Sequence, residues 1–186
     1  MNTKQGNKEA GVVLLEAIIA IGVLVAMVTG SLLLLSSSSR SVRSANDRLI
    51  ATYLAQDAVE WIRARWYYNR QFVGGSGWLT HIQCPTGRTC GLETQTDVIV
   101  PTTGISECTL LNNCILRQPD PTSPQYSHFD PVSAAVDTPY TRTIVVQTAD
   151  VDGDGTHDEA EYTVTVSWSS GSGTDSVEIL TTLYND

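Results

Sequence analysis

Lysine is absent after position 8. Lys4 and Lys8 are the two lysines, and the other nine cations are arginines set against twenty Asp and Glu side chains. With a formal charge of −9 the chain lacks the basic field that phosphate contacts need, so a nucleic-acid partner is not expected. Histidine is limited to three scattered positions, His81, His128 and His157, and neither a Gly-x-Ser-x-Gly elbow nor a phosphate-cradling glycine loop occurs. The sequence therefore offers no nucleophile and base to pair, and no enzymatic activity is expected. Glycine and proline are missing from Ser31 to Val73. Nothing in that stretch stops a helix.

Charge is also nearly missing from the 24 residues Val12 to Leu35, where Glu16 is the single ionisable side chain. At ~1.5 Å per residue a helix of that length reaches ~36 Å, enough to cross a hydrocarbon core of ~30 Å. Ser36 to Ser39 and Arg40 follow with no Ala-x-Ala-like site, which argues against a secretory signal peptide. A carboxylate within such a helix costs roughly 2.5 to 3.5 kcal/mol on insertion scales. Glu16 needs a compensating partner.

A short polar leader ending in Gly11, an apolar run opening at Val12, and Glu16 at the fifth position of that run resemble the cleavage and methylation motif of type IV prepilins and pseudopilins. Val12 and Val13 stand where that family usually has Phe followed by Thr or Ser. The resemblance implies that a membrane-bound prepilin peptidase cuts after Gly11 and methylates the new amino terminus on Val12. It implies a filament built from other pilin subunits with the help of inner-membrane assembly machinery, the helix being held in membrane lipid beforehand. It also implies that the Glu16 carboxylate pairs with the amino terminus of a neighbouring subunit. Such a pair sets register, because a buried charge without its partner is strongly unfavourable and one axial offset supplies it. The alternative is a permanently anchored extracytoplasmic binding or adhesion module, stabilised by calcium, that never polymerises.

The length of 186 residues leaves room for the anchor and one domain of roughly 100 to 150 residues. Positive charge gives no clear orientation, since Lys4 and Lys8 precede the span and Arg40, Arg43 and Arg48 follow it. Cysteine does. Cys84, Cys90, Cys108 and Cys114 form two C-x5-C pairs, a spacing wider than zinc knuckles use and suited to disulfides in an oxidising space. Three connectivities are open, with local Cys84–Cys90 and Cys108–Cys114 loops preferred. The expected placement is a leader inside and a domain outside the cytoplasm.

Beyond the span, Ile50, Leu54, Ala58, Trp61 and Ile62 recur at helical spacing. One helix is expected from about Val12 to about Arg70, spanning the membrane over residues 12–35 and amphipathic over 36–70. The resemblance implies the same shape. Residues 71–139 hold both Cys pairs and Pro119, Pro121, Pro124 and Pro131. Few regular elements are expected there beyond a short strand at Asp97 to Val100, with Trp78 and Leu79 returning to cap the core. In residues 140–186 three antiparallel strands are expected, at Thr141 to Thr148, around Tyr162 to Trp168 and at Val177 to Leu183. Tyr162, Val164, Val166 and Trp168 alternate with hydroxyl side chains and should form the buried face. The fold class is α+β: a long amino-terminal helix on a small antiparallel sheet, as in pilins.

Between the first two of these strands, Asp150 to Glu161 fits the calcium-loop pattern D-x-D-x-D-G-x5-E. Asp150, Asp152, Asp154, the Thr156 carbonyl, Asp158 and Glu161 would supply the oxygens a hard cation takes, and six carboxylates in twelve residues repel one another unless something neutralises them. The flanks read as strands rather than helices. An acidic hairpin turn is the simpler account of the same residues.

Overall fold

The computed structural model describes residues 6–73, 77–85, 87–92, 104–108, 114–118, 122, 126, 136–170 and 173–185, with side chains from Val13 onward. One helix, α1, runs from Gly6 to Phe72 without interruption, exceeding the expected bounds at both ends. The absence of Gly and Pro after Gly30 accounts for its continuity through the serine run. Hydroxyls within it fold back onto the preceding turn: Thr29 donates to the Val25 carbonyl, Ser31 to Met27 and Ser37 to Leu34, at 2.8, 2.9 and 2.9 Å. Those bonds satisfy polar groups that apolar surroundings could not.

The chain divides into two compact units, Met1–Asn46 and Asp47–Asp186. In the first, every described residue from Val13 to Asn46 is exposed. By length and composition this helix could cross a membrane.

The second unit packs the remaining turns of α1 on a six-stranded sheet. Its strands are β1 (Cys90–Leu92), β2 (Ile105–Glu107), β3 (Ile115–Gln118), β4 (Val136–Ala149), β5 (Glu159–Ser170) and β6 (Gly173–Tyr184). Every pairing is antiparallel, in the order β2-β1-β4-β5-β6, with β3 also pairing β4. The three expected strands are β4, β5 and β6. The three additional ones come from the stretch in which few regular elements were expected, and at three or four residues each they are too short for alternation to show. The strand expected at Asp97 to Val100 lies outside the described residues.

β4 also starts earlier than its β-branched run suggests, taking in Pro139. That residue faces the irregularity in β3 pairing, where Ile115 matches Thr141 but Arg117 matches Asp137, and the β5 ladder begins only at Tyr140. The missing N–H therefore interrupts no regular ladder.

The core forms as the periodicities require. Leu54, Ala58 and Ile62 are buried, Ile50 and Trp61 partly so, and all four of Tyr162, Val164, Val166 and Trp168 are buried. Small side chains at Ala51, Ala55 and Ala58, all fully buried, let the helix approach the sheet closely. Trp78 and Leu79 close the core, as expected, and the Trp78 indole donates to the His157 carbonyl at 2.9 Å. Each large side chain buried in this way contributes about 1.5–3 kcal/mol relative to leaving it in water.

Candidate functional site

Three groups of residues carry the chemistry read from the sequence. Gly11 and Val12 lie within α1, ahead of the described side chains. Glu16 is exposed in the first unit, flanked by the exposed apolar side chains of Leu14, Leu15, Ile18 and Ile19. Among the described residues it has no ion-pair partner.

Both local cysteine pairs are disulfides. Cys84 is bonded to Cys90 with their Cα atoms 6.1 Å apart, and Cys108 to Cys114 at 5.5 Å. The first bond ties the loop after Leu79 to β1, and the second closes the connection between β2 and β3. Main-chain bonds fasten both loops: the Cys108 N–H donates to the Thr89 carbonyl and the Arg142 N–H to the Cys114 carbonyl, each at 3.0 Å.

The acidic loop links β4 to β5. Its base is closed by the Asp158 N–H donating to the Ala149 carbonyl at 2.9 Å. Inside, carboxylates accept main-chain N–H groups in succession. Asp150 accepts from Gly153 and Gly155 at 2.7 and 3.0 Å, Asp152 from Asp154 at 3.1 Å, and Asp158 from Val151 and Asp152 at 2.7 and 3.3 Å. Gly153 and Gly155 have φ of 78° and 88°, values that side chains with a Cβ rarely adopt, so the wrap depends on glycine at both positions. Hydrogen bonds from the Thr156 hydroxyl and main chain hold the Asp154 carboxyl below its ordinary pKa.

The result is a partial cage. Asp150, Asp152 and Asp158 bring oxygens within 4.8 Å of one another. One calcium ion bonded at ~2.3–2.6 Å can bridge oxygens at that separation. Asp154 and Glu161 are not in this group. Asp154 is turned to Thr156, and Glu161 sits in β5 opposite Gln147 and Thr182.

Sequence reasoning missed Arg142. It is almost completely buried on β4, an exception among arginines. Its guanidinium donates to the Leu54 carbonyl of α1 at 3.1 Å, to Asp57 Oδ2 at 3.0 Å and to the Leu92 carbonyl of β1 at 2.8 Å. One planar fork thus fastens helix, central strand and the short strand β1. The signal available in the sequence was a lone cation within an otherwise uncharged, β-branched run, Thr141 to Thr148. Near the start of the second unit's helix, the Tyr140 hydroxyl donates to Asp47 Oδ1 at 3.3 Å, and burial together with that carboxylate pushes the phenol up to about 12.

Compared with protein-family models, with curated proteins and with solved structures, the chain matches none.

Proposed function

We propose that this chain is a structural subunit, a major or minor pilin or a pseudopilin, of a type IV pilus-like or type II secretion-like filament. It is processed after Gly11 by prepilin peptidase and assembled through α1 with other pilin subunits by inner-membrane machinery. One observation carries the reading. α1 continues unbroken from the leader to Phe72, yet every described side chain from Val13 to Asn46 is exposed and Glu16 is the only charge between Val12 and Arg40. Apolar surface of that extent must be covered, first by lipid and then by the helices of neighbouring subunits. The Glu16 carboxylate supplies register, since its burial is tolerable only against a cation at one axial offset. The disulfides support a domain outside the cytoplasm.

Intact mass and amino-terminal peptide mapping of protein recovered from its native membrane test this directly. The expected chain begins at Val12 and carries one added methyl group. A chain beginning at Met1 or Asn2 would transfer the reading to the anchored module that does not polymerise.

Calcium belongs to the same proposal as a structural ligand. Asp150, Asp152 and Asp158 are the residues that fit it, and a loop of this kind outside the cell binds in the ~0.1–1 mM range, stiffening the hairpin rather than signalling. Binding at 100 times the dissociation constant raises stability by about 2.7 kcal/mol. A chelator is therefore expected to lower the melting temperature of the full chain by several degrees, and Asp152→Ala to remove that sensitivity. An unchanged melting curve would leave the loop as a hairpin held by its own hydrogen bonds.

A further inference from the structure

Arg40 and Arg43 are one helical turn apart and so lie on one face of α1, and both are exposed. Among the described residues neither has an ion-pair partner. They are the first cations after Lys8, and no carboxylate occurs between Glu16 and Asp47. Asp47 itself accepts from the Tyr140 hydroxyl. The helix continues through the serines that precede them, so the arginines stand at a fixed axial distance from the start of the apolar run.

That distance is informative. Arg40 follows Val12 by 28 positions, or about 42 Å of helix at ~1.5 Å per residue. A bilayer including its headgroup layers is ~40–45 Å thick. With the amino group of Val12 in one headgroup layer, the two guanidinium groups fall in the other. Guanidinium groups suit this position because each can take a phosphate through two parallel hydrogen bonds, and their stems can lie along the apolar boundary. The rest of the chain opposes such contact: residues 47–186 carry seven arginines against eighteen Asp and Glu side chains, a net of −11, and that charge repels an anionic surface.

We propose that Arg40 and Arg43 form a collar that binds anionic phospholipid headgroups at the extracytoplasmic face of the membrane. The collar fixes the depth of the unassembled subunit and holds its acidic domain at the surface. This rests on the membrane-spanning reading of α1. The contacts are weak enough to break when a subunit leaves the bilayer, since a basic side chain near an anionic surface favours association by about five-fold, or about thirty-fold for two.

The test is electron spin resonance on the full chain reconstituted in phosphatidylcholine bilayers, with spin-labelled phosphatidylglycerol or spin-labelled phosphatidylcholine as probe. Wild type is expected to select phosphatidylglycerol several-fold in its motionally restricted lipid shell, and the preference should fall as salt is raised. In Arg40→Gln/Arg43→Gln the restricted shell should persist while the selectivity drops to near unity. Equal selectivity in the double variant, or none in wild type, overturns the collar. The absence of any restricted shell with either probe overturns the membrane-spanning reading instead, so the two failures are distinguishable.

Discussion

Glu16→Ala is expected to leave the chain in the membrane at wild-type abundance or above, and to remove it from the proposed filaments. Both halves follow from one charge. A carboxylate inside an apolar helix costs roughly 2.5–3.5 kcal/mol on insertion, so its loss cannot hinder insertion. In the proposed filament that same carboxylate faces a cation of the next subunit. A close, desolvated charge pair of this kind couples two partners by about 1.5–7 kcal/mol. Even the lower end of that range reduces each subunit addition by about ten-fold, and a polymer compounds the loss at every step. The side chain is exposed in the single chain and makes no ion pair with any described residue, so the substitution breaks no contact within the described fold. Glu16→Gln keeps shape and hydrogen bonding but not charge, and should fall between wild type and alanine. The measurement is the ratio of sheared filament protein to membrane-retained protein for the three chains. Equal ratios would dismiss Glu16 as the register device.

The helix, the three long strands and the core face of β5 were legible because each is longer than its own period. Ile50 to Ile62 spans several helical turns, and Tyr162 to Trp168 gives four consecutive inward positions. The local disulfides, preferred among three connectivities, are the ones that form. β1, β2 and β3 were not legible. A strand of three residues such as Cys90–Leu92, buried at every position, has no alternation to read, and its place in the sheet comes from β4 and from a disulfide at its first residue. The acidic loop was legible as a pattern of oxygens, but not as a geometry. Sequence spacing put Asp154 and Glu161 with the others; in the structure Asp150, Asp152 and Asp158 cluster, Asp154 accepts hydrogen bonds from Thr156, and Glu161 lies in the ladder of β5. Arg142 was invisible for a related reason. An inward arginine follows strand parity, yet whether a cation at that parity is tolerated depends on carbonyls from α1 and β1, distant in sequence, that only the fold brings to it.

That dependence makes Arg142 the side chain whose loss should most damage the folded unit. Arg142→Ala removes bonds to the Leu54 and Leu92 carbonyls and to Asp57 at once, and leaves a hole the size of the side chain in the core. Hydrogen bonds to charged groups contribute about 1.5–3 kcal/mol each, and a buried carbonyl left without a donor costs about 1–3 kcal/mol. A loss of about 3–5 kcal/mol is expected, a large share of the ~5–15 kcal/mol that holds an ordinary domain folded. At about 3–4 °C per kcal/mol for a unit of this size, the melting temperature of the full chain should fall by roughly 10–20 °C. Asp57 behaves differently. Its side chain remains 54% exposed, so water screens the pair and Asp57→Asn is expected to cost only about 1 kcal/mol. Arg142→Lys separates the roles of charge and shape. A lysine keeps the charge but cannot reach two carbonyls and a carboxylate with one planar fork, so it should recover less than half of the loss. If thermal unfolding of Arg142→Lys coincides with wild type, the charge alone matters and the fork does not. If Arg142→Ala also coincides, β1 is held to the sheet by its disulfide and ladder without help from the guanidinium.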